Sequence, residues 1–238
     1  MNKYFALIPA RSGSIRIKNK NQSKIRNLSL LEWAIKYGIK QKELSQVFVS
    51  TDLNINLDFS NNEKIKLISR PKDLADSKST LLDVIRHLIN TKNLDLDDNL
   101  VLLLPTAPLR VSSDLKCAIN LFEKNDRQRS VMSITPHTHP PELSWTIEQD
   151  NLLPFIKKNV GKTFSQKQKY NQRYYFDECI LLDKISSWLR MDRSLFGHNP
   201  LPQITPAERG IPIDYPIHLK FCNYLFPPYD ERRSCVEW

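Results

Sequence analysis

Arg11, Arg16, Lys18 and Lys20 lie within ten residues of one another, around Ser12-Gly13-Ser14, and no acidic residue interrupts them. Side chains of that kind at that density suit phosphate binding. Guanidinium and ammonium donors neutralise an anion, and main-chain amides near a glycine add further donors. A solvated basic turn is the other reading of the same residues. The stretch is not a Walker loop, because no Gly-Lys-Ser/Thr follows Gly13 at the required spacing. Nor is Ser12-Gly13-Ser14 a nucleophile elbow, since the Gly-x-Ser-x-Gly frame is absent. His137, His139, His198 and His218 have neither the spacing nor a third ligand at a fixed distance that a zinc site needs, and they read as solvated loop residues.

The elements around this loop place it at a strand end. Tyr4 to Ile8 is an apolar run long enough for a buried strand, broken at Pro9. Leu28 to Lys40 has helical spacing, with Leu31, Ala34, Ile35 and Gly38 on one face. Gln46 to Thr51 reads as a second strand, ending at Asp52, and Ile65 to Ile68 as a third, closed by Arg70-Pro71. Ser79 or Thr80 caps a helix running to about Lys92, with Leu81, Leu82, Ile85, Leu88 and Ile89 inward. Leu100 to Leu104 is the most apolar stretch and reads as the central strand. Ser112 or Ser113 opens a helix carrying Leu115, Ala118, Ile119 and Phe122 on one face, and Ser130 to Ile134 is a further strand. This alternation predicts an α/β fold, a mostly parallel sheet with helices on both faces. In such sheets ligands bind outside the carboxyl ends of the strands, where the cationic loop falls.

From Pro136 to about Gln172 the texture becomes proline-punctuated and polar. Trp145 to Ile156, with Asp150-Asn151 between, reads as a hairpin projecting from the sheet. A dimer contact and a loose surface loop are the two readings of that excursion. Tyr174 to Leu182 returns as a strand, and Pro216 to Phe226 reads as a last helix with proline in its first turn. The expected organisation is one domain over residues 1–238 with an inserted arm at about 136–172.

Composition narrows the class. Of the 238 residues, 40% are hydrophobic and 26% charged, which fits neither disorder nor a membrane protein. No apolar run approaches the ~20 residues of a membrane helix, and the first residues lack a signal-peptide core. Cytoplasm is the expected compartment. The net charge of +9 asks for an anionic partner; a nucleotide polyphosphate meets that need, and no nucleic-acid motif accompanies the charge. Cys117, Cys179, Cys222 and Cys235 are widely spaced and read as reduced, mostly buried thiols rather than zinc ligands or disulfides.

Several blocks, in order, carry a resemblance. Ile8-Pro9-Ala10-Arg11-x-Gly13-Ser14 ending in Lys20-Asn21, then Val49-Ser50-Thr51-Asp52, then Arg70-Pro71, Leu74-Ala75-Asp76 and Ser79-Thr80 come first. Leu102 to Arg110 (Leu-Leu-Leu-Pro-Thr-Ala-Pro-Leu-Arg), Lys167-Gln168 followed by Tyr174, and Ile211 to Asp214 follow. Each is weak alone. As a series over nearly the whole chain they resemble the acylneuraminate (CMP-sialic acid) cytidylyltransferases.

That resemblance implies a Rossmann-like nucleotidyltransferase joining CTP to a sialic-acid-like nonulosonate, a nine-carbon 2-keto sugar acid, with release of pyrophosphate. It implies Mg2+ as cofactor, a homodimer, and a place in making surface glycan precursors, without nucleic acid or membrane as partners. Arg11 and Lys20 would act on the triphosphate as catalytic groups. Ala10, Gly13 and Ser14 would supply the surrounding nucleotide contacts, and Asn21, Arg70 and Ser79 would hold cytosine and ribose. Leu104, Arg110, Lys167 and Gln168 fall at sugar-binding positions, and Asp214 at the metal position. For Arg110, facing the sugar-acid carboxylate and stabilising its own loop are equal alternatives.

The chain departs from the family pattern at functional positions. Ile15 replaces a lysine, with Arg16 adjacent; Leu104 replaces a glutamine that faces the sugar; Asp177-Glu178 replaces Asn-Gly; Pro212-Ile213-Asp214 replaces Asp-Ile-Asp; and His218 replaces a later acid. Two outcomes follow: a working variant whose metal sits on Asp214, the phosphates and Asp177 or Glu178, or a relative that binds CTP without turnover in a regulatory or partner-binding role. The first is preferred, because a chain released from phosphate chemistry has no reason to keep Arg11, Lys20, Asn21 and Arg70 together.

Overall fold

Residues 4–10 are all buried and pair on both edges, so the first strand sits inside a sheet rather than at its rim. The computed structural model describes residues 2–14, 16–53, 62–76, 79–156, 170–190 and 195–226. Its elements run β1 (Tyr4–Ala10), β2 (Lys24–Ile25), β3 (Leu28–Ser29), α1 (Leu30–Lys40), β4 (Leu44–Thr51), β5 (Ile65–Ser69), α2 (Leu81–Lys92) and β6 (Asn99–Leu102). There follow α3 (Ser112–Lys124), β7 (Val131–Pro136), β8 (Trp145–Glu148), β9 (Asn151–Pro154), β10 (Tyr174–Lys184), α4 (Ile185–Arg190), β11 (Leu201–Ile204) and α5 (Pro216–Leu225).

Seven strands form the main sheet in the order β11-β7-β10-β6-β1-β4-β5. Every pairing is parallel except the two made by β10, which runs antiparallel between β6 and β7. Alternation along β1 divides its side chains between two cores. Ala6, Ile8 and Ala10 pack with Leu31, Ala34 and Ile35 of α1 and with Leu115, Ala118 and Phe122 of α3. Phe5 and Leu7 face the other way, onto Leu82, Ile85 and Leu88 of α2 and Ile185 and Trp188 of α4. Each buried leucine, isoleucine or phenylalanine among these contributes about 1.5–3 kcal/mol.

The helices start where their caps say. Ser29 and Glu32 form a reciprocal capping box at α1, and Thr80 and Asp83 form another at α2. Thr80 rather than Ser79 is the cap of α2. The predicted helix over Leu28 to Lys40 loses its first two residues, because Leu28 and Ser29 pair with Ile25 and Lys24 before the cap. The central strand ends at Leu102 instead of Leu104. Leu103 still donates to the Leu7 carbonyl, but beyond it the chain turns, with Ala107 donating to Leu104. The hairpin is present as β8 and β9, turning at Gln149 and Asp150, both left-handed at φ 47° and 64°. Neither α4 nor β11 was foreseen: α4 is six residues and β11 four, too short to show a period. Cys179 and Cys222 are free and buried. Cys117 corrects the expectation of a core thiol: it is half-buried and disulfide-bonded. Among the described residues no helix is long and apolar enough to cross a membrane.

Candidate active site

Because β1, β4, β5 and β6 are parallel, the residues that follow them emerge along one edge of the sheet. Arg11 follows β1, Asp52 follows β4, Arg70 follows β5, and Leu104 to Thr106 follow β6. A cleft of about 450 Å3 opens there. Four cations line it, Arg11, Arg16, Lys20 and Arg70, against two carboxylates, Asp76 and Asp214, leaving two net positive charges. Lys18 is exposed and is not among the lining residues.

The loop after β1 is held at both ends. Ser12 donates to Asp52 through its amide at 2.8 Å and its hydroxyl at 2.6 Å. Burial alone would raise the Asp52 carboxyl; the Ser12 bonds and the Arg70 charge outweigh it and hold Asp52 below its ordinary value. At the other end Asn21, buried, donates to the Arg11 carbonyl at 2.9 Å. Asn19 takes the left-handed turn between them at φ 54°, a conformation asparagine tolerates.

Arg70 is 7% exposed, and its guanidinium donates to the Ser50 carbonyl at 2.8 Å and lies 3.3 Å from the Ser50 hydroxyl. Burial pushes it down, Asp52 opposing and Arg11 reinforcing. Arg11 donates to the Asp76 carbonyl at 2.6 Å, and the Asp76 carboxylate in turn accepts from the Ser79 amide at 2.8 Å. The loop before α2 is thereby tied across the cleft to the loop after β1.

Asp214 arrives from 194 residues beyond Lys20. Lys20 Nζ donates to the Ile213 carbonyl at 2.8 Å and lies 3.2 Å from Asp214 Oδ1, which Arg16 also approaches to 3.2 Å. The segment bearing Asp214 has rigid anchors. Arg209 and Asp114, both wholly buried, form a two-pronged ion pair at 2.7 and 2.9 Å. Gly210 passes so near Thr135 that a Cβ would lie 2.3 Å from it, so only glycine fits. The Ile213 amide donates to the Thr106 carbonyl at 2.8 Å. His218 accepts from the Asp214 amide at 3.1 Å, which fixes the aspartate at the start of α5.

Of the residues predicted from sequence, Arg11, Ser14, Lys20, Asn21, Arg70, Ser79, Leu104 and Asp214 all line this one cleft. Ala10 and Gly13 do not: Ala10 is wholly buried as the last residue of β1, and a Cβ on Gly13 would meet nothing within 4 Å. Lys167 and Gln168, like Ile15, lie outside the described residues. Arg110 is not among the residues that line the cleft, and its contacts are those of the loop-stabilising alternative. Its guanidinium donates to the carbonyls of Cys179 at 2.6 Å and Leu104 at 2.5 Å and lies 5.4 Å from the Tyr37 ring centre. It stabilises its own loop and borders a different cavity, on the α1 side. Asp177 also turns away from the cleft. It is buried and accepts from the Ser133 hydroxyl and the Cys179 amide. Sequence reasoning missed Arg209, Asp114 and Thr106 as the residues that hold the cleft's far wall. Arg209 gave no signal, since a buried arginine is not distinguishable from a surface one without its partner.

A family model for cytidylyltransferases matches residues 5–174. The N-acylneuraminate cytidylyltransferase of Escherichia coli O18:K1:H7 is 26% identical over 216 residues, covering 89% of this chain and 49% of that protein. The CMP-N,N'-diacetyllegionaminic acid synthase of Legionella pneumophila is 28% identical, covering 90% of this chain and 92% of that one. The chain spans about half the length of the E. coli relative and of a Streptococcus agalactiae N-acylneuraminate cytidylyltransferase. Among solved structures, CMP:2-keto-3-deoxy-manno-octonic acid synthetase complexed with CTP superimposes with a TM-score of 0.65 at 13% identity, covering 94% of this chain and 98% of that one. That likeness speaks to fold alone. The family model spans β1 through the start of β10, including the cationic loop and Leu104 to Thr106, and by that match the chain belongs to the cytidylyltransferase family.

Proposed function

We propose that this protein transfers CMP from CTP to a sialic-acid-like nonulosonate, releasing pyrophosphate. The observation that carries the reading is the convergence of Arg11, Arg16, Lys20 and Arg70 on one cleft at the carboxyl ends of parallel strands. Relatives named for acylneuraminic, pseudaminic and legionaminic acids support the acceptor class. The anomeric hydroxyl attacks the α-phosphorus in line, and negative charge spreads onto the leaving pyrophosphate. Arg11 and Lys20 are suited to that charge because each is already positioned by a neighbour, Arg11 by Asp76 and Lys20 by Ile213, so little reorganisation is needed. Asn21, Arg70 and Ser79 would hold the nucleoside end, and Leu104 would offer the sugar an apolar wall.

A divalent cation fits the site in a limited way. Among the described residues no group of three or more metal-ligating side chains is close enough to hold one. Asp214 supplies a single oxygen-donor carboxylate, and Mg2+ characteristically combines one or two carboxylates with substrate phosphates and water. Mg2+ would therefore be held by Asp214 together with the triphosphate, and would supply the positive charge that the two net charges of the cleft leave short. A homodimer is part of the same reading: the hairpin exposes Ile147 at 78%, Leu152 at 61% and Phe155 at 62%, a face suited to a second copy. The expected compartment is the cytoplasm.

The second reading, CTP binding without turnover, draws on one observation: Asp214 Oδ1 is already shared by Arg16 and Lys20, and Pro212 offers no second carboxylate. Pyrophosphate release from CTP with neuraminic, legionaminic and pseudaminic acids separates the two. Release with any of them supports transfer. CTP raising the melting temperature with silence across the panel, in Mg2+ and Mn2+, supports the binding protein. A large gain in rate from Pro212→Asp would mark a weakened metal site.

A further inference from the structure

Glu178 adopts φ 63° within β10, in the left-handed region that a residue with a Cβ disfavours. Pairing with β7 shifts register between Phe176 and Leu181, so the strand bulges there. Fixed partners hold the bulge. The Ile180 amide donates to the Ser133 hydroxyl at 2.7 Å, the Cys179 amide donates to Asp177 at 3.0 Å, and Arg110 donates to the Cys179 carbonyl. The consequence is directional. Asp177 enters the core, while the Glu178 side chain reaches the loop after β6 and accepts a hydrogen bond from the Thr106 hydroxyl.

Thr106 lines the cleft and Glu178 stands behind it. Lys20 attracts the Glu178 carboxylate and Asp214 and Asp177 repel it, the Arg110 guanidinium meets the Glu178 main-chain carbonyl at 3.4 Å, and among the described residues Glu178 forms no ion pair. A carboxylate outside any ion pair, bonded to the hydroxyl of a residue that lines the cleft, is placed to take a proton through that hydroxyl.

We propose that Thr106 and Glu178 form a proton relay for the attacking hydroxyl, an inference that rests on the cytidylyl-transfer reading. As the acceptor oxygen bonds to the α-phosphorus, its proton passes to Thr106 Oγ1 and the Thr106 proton passes to the Glu178 carboxylate. The bond from the α-phosphorus to its bridging oxygen breaks, and pyrophosphate leaves with that electron pair. Thr106 is the catalytic residue, in contact with substrate; Glu178 acts through it.

The test compares Thr106→Val, Thr106→Ser, Glu178→Gln and the Val/Gln double variant of the full chain. Pyrophosphate release is the rate measurement, and calorimetric CTP binding shows that each variant is folded. Thr106→Val and Glu178→Gln should each lower kcat about 100-fold or more, the usual range for a lost general base, while CTP affinity changes less than about threefold. Thr106→Ser should retain kcat within about fivefold, and the double variant should be no slower than the slower single one. If Thr106→Val melts early, Thr106→Ser against Glu178→Gln carries the comparison. The relay is overturned by an active Thr106→Val or Glu178→Gln, by losses that multiply in the double variant, or by CTP affinity falling in proportion to rate. A wild-type protein that binds CTP but releases no pyrophosphate with any acceptor removes the transfer reading itself, whereas an active wild type with active variants removes the relay alone.

Discussion

Replacing Arg209 by methionine tests whether the wall bearing Asp214 is set by one buried ion pair. The side chains of Asp114 and Arg209 are both 0% exposed, and the carboxylate takes two charge-assisted hydrogen bonds from the guanidinium at 2.7 and 2.9 Å. Without them Asp114 keeps the Val111 amide at 2.8 Å and the weak Cys179 thiol contact at 3.6 Å. Removing one partner of a buried pair leaves an uncompensated charge and costs about 3–5 kcal/mol. In a chain of this size that lowers the melting temperature by about 6–20 °C, taking about 2–4 °C per kcal/mol. Urea unfolding followed by circular dichroism at pH 7 measures the loss directly. Adding Asp114→Leu to Arg209→Met should recover most of it, because an apolar pair does not carry the desolvation cost, less about 1 kcal/mol for the lost cap of α3. CTP affinity should also fall in the single variant, since residues 209–214 run from this pair to Asp214. A stability loss below about 1 kcal/mol, or a double variant less stable than the single one, would refute the argument.

Three further outcomes are expected. Arg11→Met and Lys20→Met should each lower kcat/KM by about 3 kcal/mol of transition-state stabilisation, roughly 150-fold, and steady-state pyrophosphate release measures it. Asp183 is buried, and burial pushes its carboxyl from 3.8 up to about 6, the Lys184 amide and nearby cations opposing. The folded state then binds more protons than the unfolded one between those values. Stability contributed there is present below about pH 4 and falls as pH rises through about 6, on the order of 2–3 kcal/mol. Asp183→Asn should accordingly stabilise the protein at pH 8 and have little effect near pH 4, as urea midpoints at the two pH values will register. Ile147→Glu, on a residue 78% exposed, should convert a dimer to a monomer in light scattering without changing the melting temperature of the monomer by more than a few degrees.

What could be read from the chain alone was whatever depends on neighbours in sequence. The apolar run of β1 followed by cations marked a strand end that opens on a cation-lined cleft, and the periods of α1, α2 and α3 marked helices on a parallel sheet. Local chemistry set those features, so local order revealed them. The resemblance added Asn21, Arg70, Ser79 and Asp214, and these four do line the cleft that holds Arg11 and Lys20. Tertiary structure decided the rest. Arg110 lies in the same loop after β6 as Thr106, yet its guanidinium meets the Cys179 carbonyl on β10 and leaves the cleft, a partner 69 residues away that no local pattern reveals. Asp177 and Glu178 are neighbours of the same charge, and only the bulge in β10 sends one into the core and the other to Thr106. The buried pairing of Arg209 with Asp114 likewise exists only once the strands and α3 have packed. Spacing along a chain determines which side chains share a face; which carboxylate meets which hydroxyl depends on register and backbone direction, and those are set by packing.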